Sequence, residues 1–313
     1  FNILEEGDIQ IRGFRLRLPL DILFVFTANP EDYTNRGSIV TPLKDRIESQ
    51  ILTHYPKTLE HALEITAQEA VLPKEQEKTV EVSDLVKRLI EQVAFEARNS
   101  ELVDKKSGVS ARLTISAFEN AVSSAERRAL LQHEKKTQVW IGDLAGIIPS
   151  ITGKVELVYE GEQEGPYQVA MNLLDRAIRT QFIQYFPNPE LMKKKRNTGK
   201  PSQQEKEDEN PYRPITAWFD KGQQLNLTFN TTDKDKILLL YKVDGLHSLV
   251  KKFFPKANES ETALLMEFVL HGLSAYSLIS KKMLESRIEF KDLIGSMMNL
   301  GAGMDEDEFD EEA

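Results

Sequence analysis

The 313-residue sequence contains no cysteine. That absence excludes disulfides, thiolate metal sites, iron–sulfur ligation and cysteine nucleophiles together, and it fits a reducing compartment, with the cytoplasm as the expected location. No apolar run approaches the roughly 18 to 20 residues needed to span a bilayer, and the first residues lack the basic, apolar, small-residue order of a secretory leader. Neither a membrane-spanning nor a secreted protein is expected. A phosphate-binding loop is missing too: Gly153-Lys154 is followed by Val155 and Gly199-Lys200 by Pro201, so neither lysine is followed by the hydroxyl that holds magnesium. The apolar runs end in Thr27-Ala28-Asn29 and Lys242-Val243-Asp244, without the adjacent acids of a magnesium-binding strand. His54, His61, His133, His247 and His271 are scattered without metal-ligand spacing, and no Gly-x-Ser-x-Gly elbow occurs, so each histidine is expected to be structural and no metal ligands are assigned. Phe1 stands where a translation start would carry Met, which predicts a processed protein or a piece of a longer one.

What is present suits a globular chain of roughly two domains at about 150 residues each. Hydrophobic residues make up 40% and charged residues 29%, and 16 Gly with 13 Pro are too few for a low-complexity chain. The net charge is -10, but seven acids lie between Asp305 and Glu312; removing those seven negative charges leaves -3. A near-neutral body with an acidic end argues against a nucleic-acid partner.

Ile9 and Ile11 alternate with Gln10 and Arg12, and after Gly13, Phe14, Leu16 and Leu18 alternate with Arg15 and Arg17. This period predicts a half-buried hairpin with one cationic face. The run Ile22-Leu23-Phe24-Val25-Phe26, bounded by Pro19 and Pro30, predicts a central strand covered on both faces. From about residue 58 to 190 the period is helical. Leu85, Val86, Leu89, Ile90, Val93 and Ala97 mark one helix behind Ser83 as N-cap; Ile115, Phe118, Val122, Ala125 and Ala129 mark a second; Val169, Leu173, Leu174, Ala177, Ile178 and Phe182 mark a third, ending before Pro187. Lys193-Lys194-Lys195-Arg196 opens a polar stretch read as a linker. Beyond it, Ile215, Ala217 and Phe219, the Lys221-Gly222 turn, and Leu225, Leu227 and Phe229 predict a small hairpin. Ile237 to Tyr241 fits a strand or a short buried helix, and Leu264, Phe268 and Leu278 lie in a helical segment expected to end near Ser280-Lys281.

Several of these segments together are specific. Asp21-Ile22-Leu23-Phe24-Val25-Phe26-Thr27-Ala28-Asn29-Pro30, then Pro42-Leu43-Lys44-Asp45-Arg46-Ile47, resembles the sensor 1 strand and arginine-finger segment of AAA+ ATPases, in particular the magnesium chelatase I subunit and MoxR-like branch. The hairpin from Asp8 to Leu18 is similar to that branch's pre-sensor 1 hairpin, and Ser110-Ala111-Arg112 to its sensor 2 motif. The likeness covers roughly residues 1 to 190.

The resemblance implies the α/β end of a P-loop AAA+ core at 1–57, a mainly α-helical lid with sensor 2 at 58–190, a linker at 191–211, a small α+β region at 212–300 and an acidic disordered tail at 301–313. It also implies a ring, usually a hexamer, that binds ATP and Mg2+ and remodels a partner protein or inserts metal into it, often with a von Willebrand factor A domain protein. Asn29, Arg46 and Arg112 are the implied catalytic residues, with Asn29 and Arg112 on the nucleotide. Both cofactors need the phosphate loop and acidic strand missing here, so these 313 residues alone are expected to be inactive.

The chemistry of the positions agrees with those roles. Asn29 follows an apolar run at the strand end where open α/β sheets place ligands, suited to orienting water near a terminal phosphate. The Arg46 guanidinium stays charged and matches phosphate oxygens, with Arg36 a rival and an Asp45–Arg46 surface pair the plain alternative. Arg112 at a helix start puts charge where free amides already favour anions, though a solvated first-turn arginine has the same signature. Arg12, Arg15 and Arg17 are read as the solvent face of the hairpin. The competing function is a non-catalytic interaction scaffold that keeps lid and sensors.

Overall fold

The computed structural model describes residues 8–17, 23–27, 47–194 and 210–293, which fall into two units divided between Tyr55 and Pro56. In the smaller unit, β1 (Asp8–Ile11) and β2 (Phe14–Arg17) pair antiparallel, with Asp8 opposite Arg17 and Ile11 opposite Phe14. Arg12 and Gly13 turn the chain with φ of 49° and 88°, the left-handed pair that suits the twist of a tight hairpin. The predicted hairpin is therefore present, but not half-buried: Ile11, Phe14 and Leu16 are all exposed. The expected covered strand is also not found over its described part. Leu23 to Thr27 form no strand, and Leu23 is 88% exposed. A buried strand needs partners on its edges and layers on its faces, and no described strand pairs with this run.

The larger unit is mostly helical with a little sheet. α1 (Leu59–Glu69) starts at Thr58, whose Oγ1 accepts the His61 N–H, and α2 (Lys74–Thr79) leads into β3 (Val80–Glu81). α3 (Asp84–Asn99) starts at Ser83, whose Oγ accepts the Val86 N–H as its spacing predicts. α4 (Leu113–Leu131) follows, and β4 (Thr137–Gln138) pairs parallel with β3. A 3-10 turn, Gly142–Ile147, runs into α5 (Ile148–Thr152); then come α6 (Tyr159–Glu164), α7 (Pro166–Tyr185) and α8 (Pro189–Lys194). The buried face of α4 carries Ala117, Ala121, Ala125 and Ala129, all completely buried. Such small side chains let neighbours approach closely: a Cβ on Gly146 of the 3-10 turn would stand 1.9 Å from Ser124 Oγ.

After residue 210 come α9 (Arg213–Asp220), β5 (Leu225–Thr228), α10 (Asp233–Leu240), α11 (Leu246–Phe253), α12 (Glu259–Ala275), β6 (Ser280–Met283) and β7 (Arg287–Lys291). The expected hairpin of 215–229 is corrected. Residues 213–220 are a helix with Pro214 in its first turn, and Ile215 and Phe219, four apart, share its buried side. β5 pairs with β7, not with its sequence neighbour, in an antiparallel sheet ordered β5-β7-β6. The 237–241 ambiguity resolves as helix through Leu240. α12 stops at Ala275, short of the expected end near 280, because Ser277 has φ of 52° and the Leu278 N–H turns back to the Leu273 carbonyl. The linker core at 195–209 and the tail lie outside the described residues.

One hydrophobic core runs from Val80 to Phe290, so the helices of 58–190 and the residues after 212 share an interior. Its centre is Phe182 of α7, in ring contact with Phe186, Tyr212, Phe268 and Tyr276 at centroid distances of 5.4 to 6.0 Å. α12 meets this cluster at Gly272, where a Cβ would come within 2.1 Å of the Phe182 ring. With rings on several sides Phe182 cannot swing away, so Gly272→Ala should lower unfolding free energy by about 1–3 kcal/mol through overpacking, despite the roughly 1 kcal/mol alanine gains in helix propensity. Urea titration checks this, and Phe182→Leu in the same chain should recover part of the loss.

Candidate functional site

Of the residues expected to meet nucleotide, Asn29, Arg46 and the rival Arg36 lie outside the described residues. Arg112 lies within them. The loop before it is tied down by bridges between Val103 and Leu157 and between Val109 and Val155. Asp104 closes a turn by accepting the Lys106 N–H at 2.8 Å and the Ser107 hydroxyl at 3.0 Å; those bonds, the backbone one first, hold its carboxyl below the usual range. Ser110 then launches the helix: its Oγ accepts the Arg112 N–H at 3.3 Å and its carbonyl accepts the Leu113 N–H at 3.0 Å. Arg112 is the residue just before α4, exposed, with no ion pair to a described residue. Its guanidinium is chemically available to an anion.

The other end of α4 is fixed by a buried ionic cluster. Arg128, 2% exposed, grips Asp143 through two bonds, Nε to Oδ1 at 3.2 Å and Nη2 to Oδ2 at 3.1 Å. Its Nη1 donates to Asp233 Oδ1 at 2.6 Å, and Nη2 also donates to Thr137 Oγ1 and the Gln138 carbonyl, both at 2.9 Å. Asp233 further accepts from Trp140 Nε1 at 2.7 Å, and Glu134 accepts the Asp233 N–H at 2.9 Å. Burial first, with nearby Asp233 and Asp235 helping, pushes the Glu134 carboxyl up.

A second layer joins this one across Trp140. Glu267, fully buried in α12, accepts the Ile141 and Gly142 N–H groups at 2.9 and 3.2 Å and pairs with Lys236 at 3.2 Å. The Lys236 ammonium stands 4.8 Å from the Trp140 ring centre. Each nitrogen of the Arg128 guanidinium and the carboxylates of Asp143 and Glu267 are hydrogen-bonded, so the cluster acts as a clamp; Glu134 Oε2 is buried 3.9 Å from Arg128 Nη1 with no hydrogen bond among the described residues. A cleft of about 320 Å3 lies beside the clamp, lined by Arg127, Glu285, Asn230 and Ser124 among others. Among the described residues no three His, Asp or Glu side chains group to hold a metal ion.

Sequence reasoning missed this cluster. Arg128 does sit on the α4 apolar stripe, three residues past Ala125, and a cation on a buried stripe is the signal that would have found it. His271 was expected to be structural; it is buried in α12, edge-on to Phe290 at 5.2 Å, with neither ring nitrogen hydrogen-bonded to a described residue.

No protein-family model, curated protein or solved structure matches this chain.

Arg128→Ala would leave Asp143 and Asp233 without their cation and should cost about 3–5 kcal/mol, read by urea unfolding. Arg128→Lys should recover little of it, because an ammonium cannot make the two-pronged grip on Asp143. The pH dependence follows from His271, whose proton affinity is held well below normal by burial first and then by Lys281 and Lys236. The unfolded chain binds this proton below pH of about 6.5 while the folded chain does not, so acidification favours unfolding by up to about 1.4 kcal/mol per pH unit. His271→Phe should flatten that difference between pH 6.5 and 5, measured as Tm against pH.

Proposed function

We propose that this chain is the C-terminal part of a ring-forming AAA+ ATPase of the magnesium chelatase I and MoxR-like type, which couples ATP hydrolysis to remodelling of, or metal insertion into, a partner protein. The observation that carries the reading is the exposed Arg112 guanidinium at the start of α4, on the segment Ser110-Ala111-Arg112, with no ion pair to a described residue. A fixed cation at a helix start fits an anion, because the first-turn amides and the helix dipole add to it.

In this reading Arg112 binds the nucleotide phosphates, Asn29 orients the attacking water, and Arg46 reaches into a neighbouring subunit's site to balance charge on the transferred phosphoryl group. ATP supplies that phosphoryl group, and Mg2+ neutralises its oxygens when both are bound to a phosphate loop and acidic strand beyond this sequence. A von Willebrand factor A domain protein is a candidate partner.

The test uses the protein with such a loop. Arg112→Ala should weaken ATP binding, whereas Arg46→Ala should spare binding and lower turnover by roughly 10³-fold. Subunits carrying Arg46→Ala, mixed with subunits whose phosphate loop is disabled, should regain some ATPase activity, because some interfaces then pair an intact loop with an intact Arg46. No regain in rings shown by mass to be mixed removes Arg46 from the site. Unchanged ATP binding and turnover in both single variants would remove Arg112 and Arg46 from the site, and no ATP turnover by the unsubstituted protein would replace the enzyme reading with the scaffold one.

A further inference from the structure

The cleft of about 320 Å3 beside the ionic clamp has two walls, each held in place by bonds within the chain. One is α4, fixed by Arg128, together with the 3-10 turn. The other is the end of the β5-β7-β6 sheet, where the Phe229 N–H donates to the Ser286 carbonyl and the Leu284 N–H to the Arg287 carbonyl, both at 2.9 Å. Ser124 and Arg127 line the cleft from the first wall, and Phe229, Asn230, Glu285 and Ser286 from the second.

Among the described residues, the side chains of Ser124, Arg127, Asn230, Glu285 and Ser286 form no hydrogen bond or ion pair. Ser124 is half-buried and the other four are exposed, so a ligand can reach them. Arg128 and Asp143, which also line the cleft, are paired with one another. A second polar cleft, of about 290 Å3 beside α7, is different: Asn172 donates to Glu164, Asp175 pairs with Lys281 and Arg179 with Glu190, leaving Arg176. There most charges are answered by a neighbour, whereas beside the clamp Arg127 and Glu285 lie on facing walls and do not pair.

One unpaired charge of each sign in one cleft selects its ligand by elimination. An anion suited to Arg127 also meets Glu285, and a cation suited to Glu285 also meets Arg127. A neutral apolar molecule would strip water from five polar side chains and return no bond to any of them. An uncharged polyol replaces that water without answering either charge. A small zwitterion answers both at once, through hydrogen bonds stronger than those between neutral groups. Fixed walls lower the ordering cost of binding. The Phe229 ring offers an apolar surface, and the space exceeds the roughly 150 Å3 that holds a benzene ring in a protein interior.

We propose that this cleft binds a free α-amino acid with an apolar side chain, its carboxylate on Arg127, its ammonium on Glu285 and its side chain against Phe229. Arg112 stands at the other end of α4, about 22 Å away at 1.5 Å per residue, so this site is separate from the proposed nucleotide site and does not rest on it.

Calorimetric titration of the 313-residue chain with L-phenylalanine tests this, in parallel with hydrocinnamate, which lacks the ammonium, and phenethylamine, which lacks the carboxylate. The amino acid should bind with Kd of about 1 mM or tighter, and each analogue roughly tenfold more weakly or worse, the scale of one charged hydrogen bond. Arg127→Gln and Glu285→Gln, at exposed positions outside the clamp where folding is not at risk, should each weaken L-phenylalanine about tenfold. No heat with L-phenylalanine up to about 10 mM, an analogue that binds as tightly as the amino acid, or undiminished binding in either variant would each overturn the proposal.

Discussion

The larger unit depends on the Arg128 guanidinium. It reaches one carboxylate 15 residues along the chain and another 105 residues along, and its remaining donors go to Thr137 and the Gln138 carbonyl. A buried ion pair adds little net stability over an apolar packing of the same volume, but leaving one member unpaired is severe. The clamp therefore acts on arrangement: alternatives that separate α4 from the start of α10 carry an isolated buried charge. Lys236 and Glu267 extend the constraint, because Glu267 reaches backbone amides of Ile141 and Gly142 as well as the lysine. Three helices and one 3-10 turn are thus held by groups that have no other partners to choose. At 1.5 Å per residue, Arg112 stands roughly 24 Å from this anchor along a single helix. The position of the exposed Arg112 is inherited from the position of the buried arginine.

Charge can be buried this deeply only where the backbones come close. The alanines of α4, and Gly146 against Ser124, bring the 3-10 turn onto the helix that carries Arg128. At the other side of the core the same device appears at Gly272, which lets α12 approach the Phe182 ring cluster. Close approach excludes water, which strengthens each ionic contact and penalises each missing one. Packing and electrostatics here are a single constraint viewed from two sides.

Legibility in the sequence followed how local each signal was. α3, α4 and α7 were readable because their apolar stripes repeat over four or five turns and Ser83 caps the first of them. Residues 213–220 were not, because Ile215, Ala217 and Phe219 satisfy a strand's alternation while Ile215 and Phe219 also satisfy a helix's spacing of four. The partner of β5 lies some sixty residues on, where no turn motif could announce it. Apolar content at Leu23–Phe26 measured what could be buried, and gave no information on whether anything lies over it. Of the site, the Ser110–Arg112 helix start was legible, whereas Arg128 and Glu267 were charges embedded in apolar stripes whose partners come from distant segments.

The buried ionisable groups of this unit divide by whether they are answered. Arg128, Lys236, Asp143 and Glu267 each meet opposite charge or backbone donors, and they hold the fold. Among the described residues, the His271 ring nitrogens and Glu91 Oε1 have no hydrogen-bond partner, and their chemistry gives them different ways out. An imidazole becomes neutral by losing a proton, so His271 can remain in an apolar site at neutral pH with Lys236 and Lys281 pushing the same way. A carboxyl becomes neutral only by holding a proton, which at neutral pH works against its intrinsic acidity, and the hydroxyls beside Glu91 favour the charged form. His271 has a stable resting state inside the folded chain. Glu91 is pulled both ways: burial raises its carboxyl, while Thr66, Thr114 and Arg98 act to lower it. That asymmetry separates a residue that sets the acid limit of the fold from one whose charge its own neighbours contest.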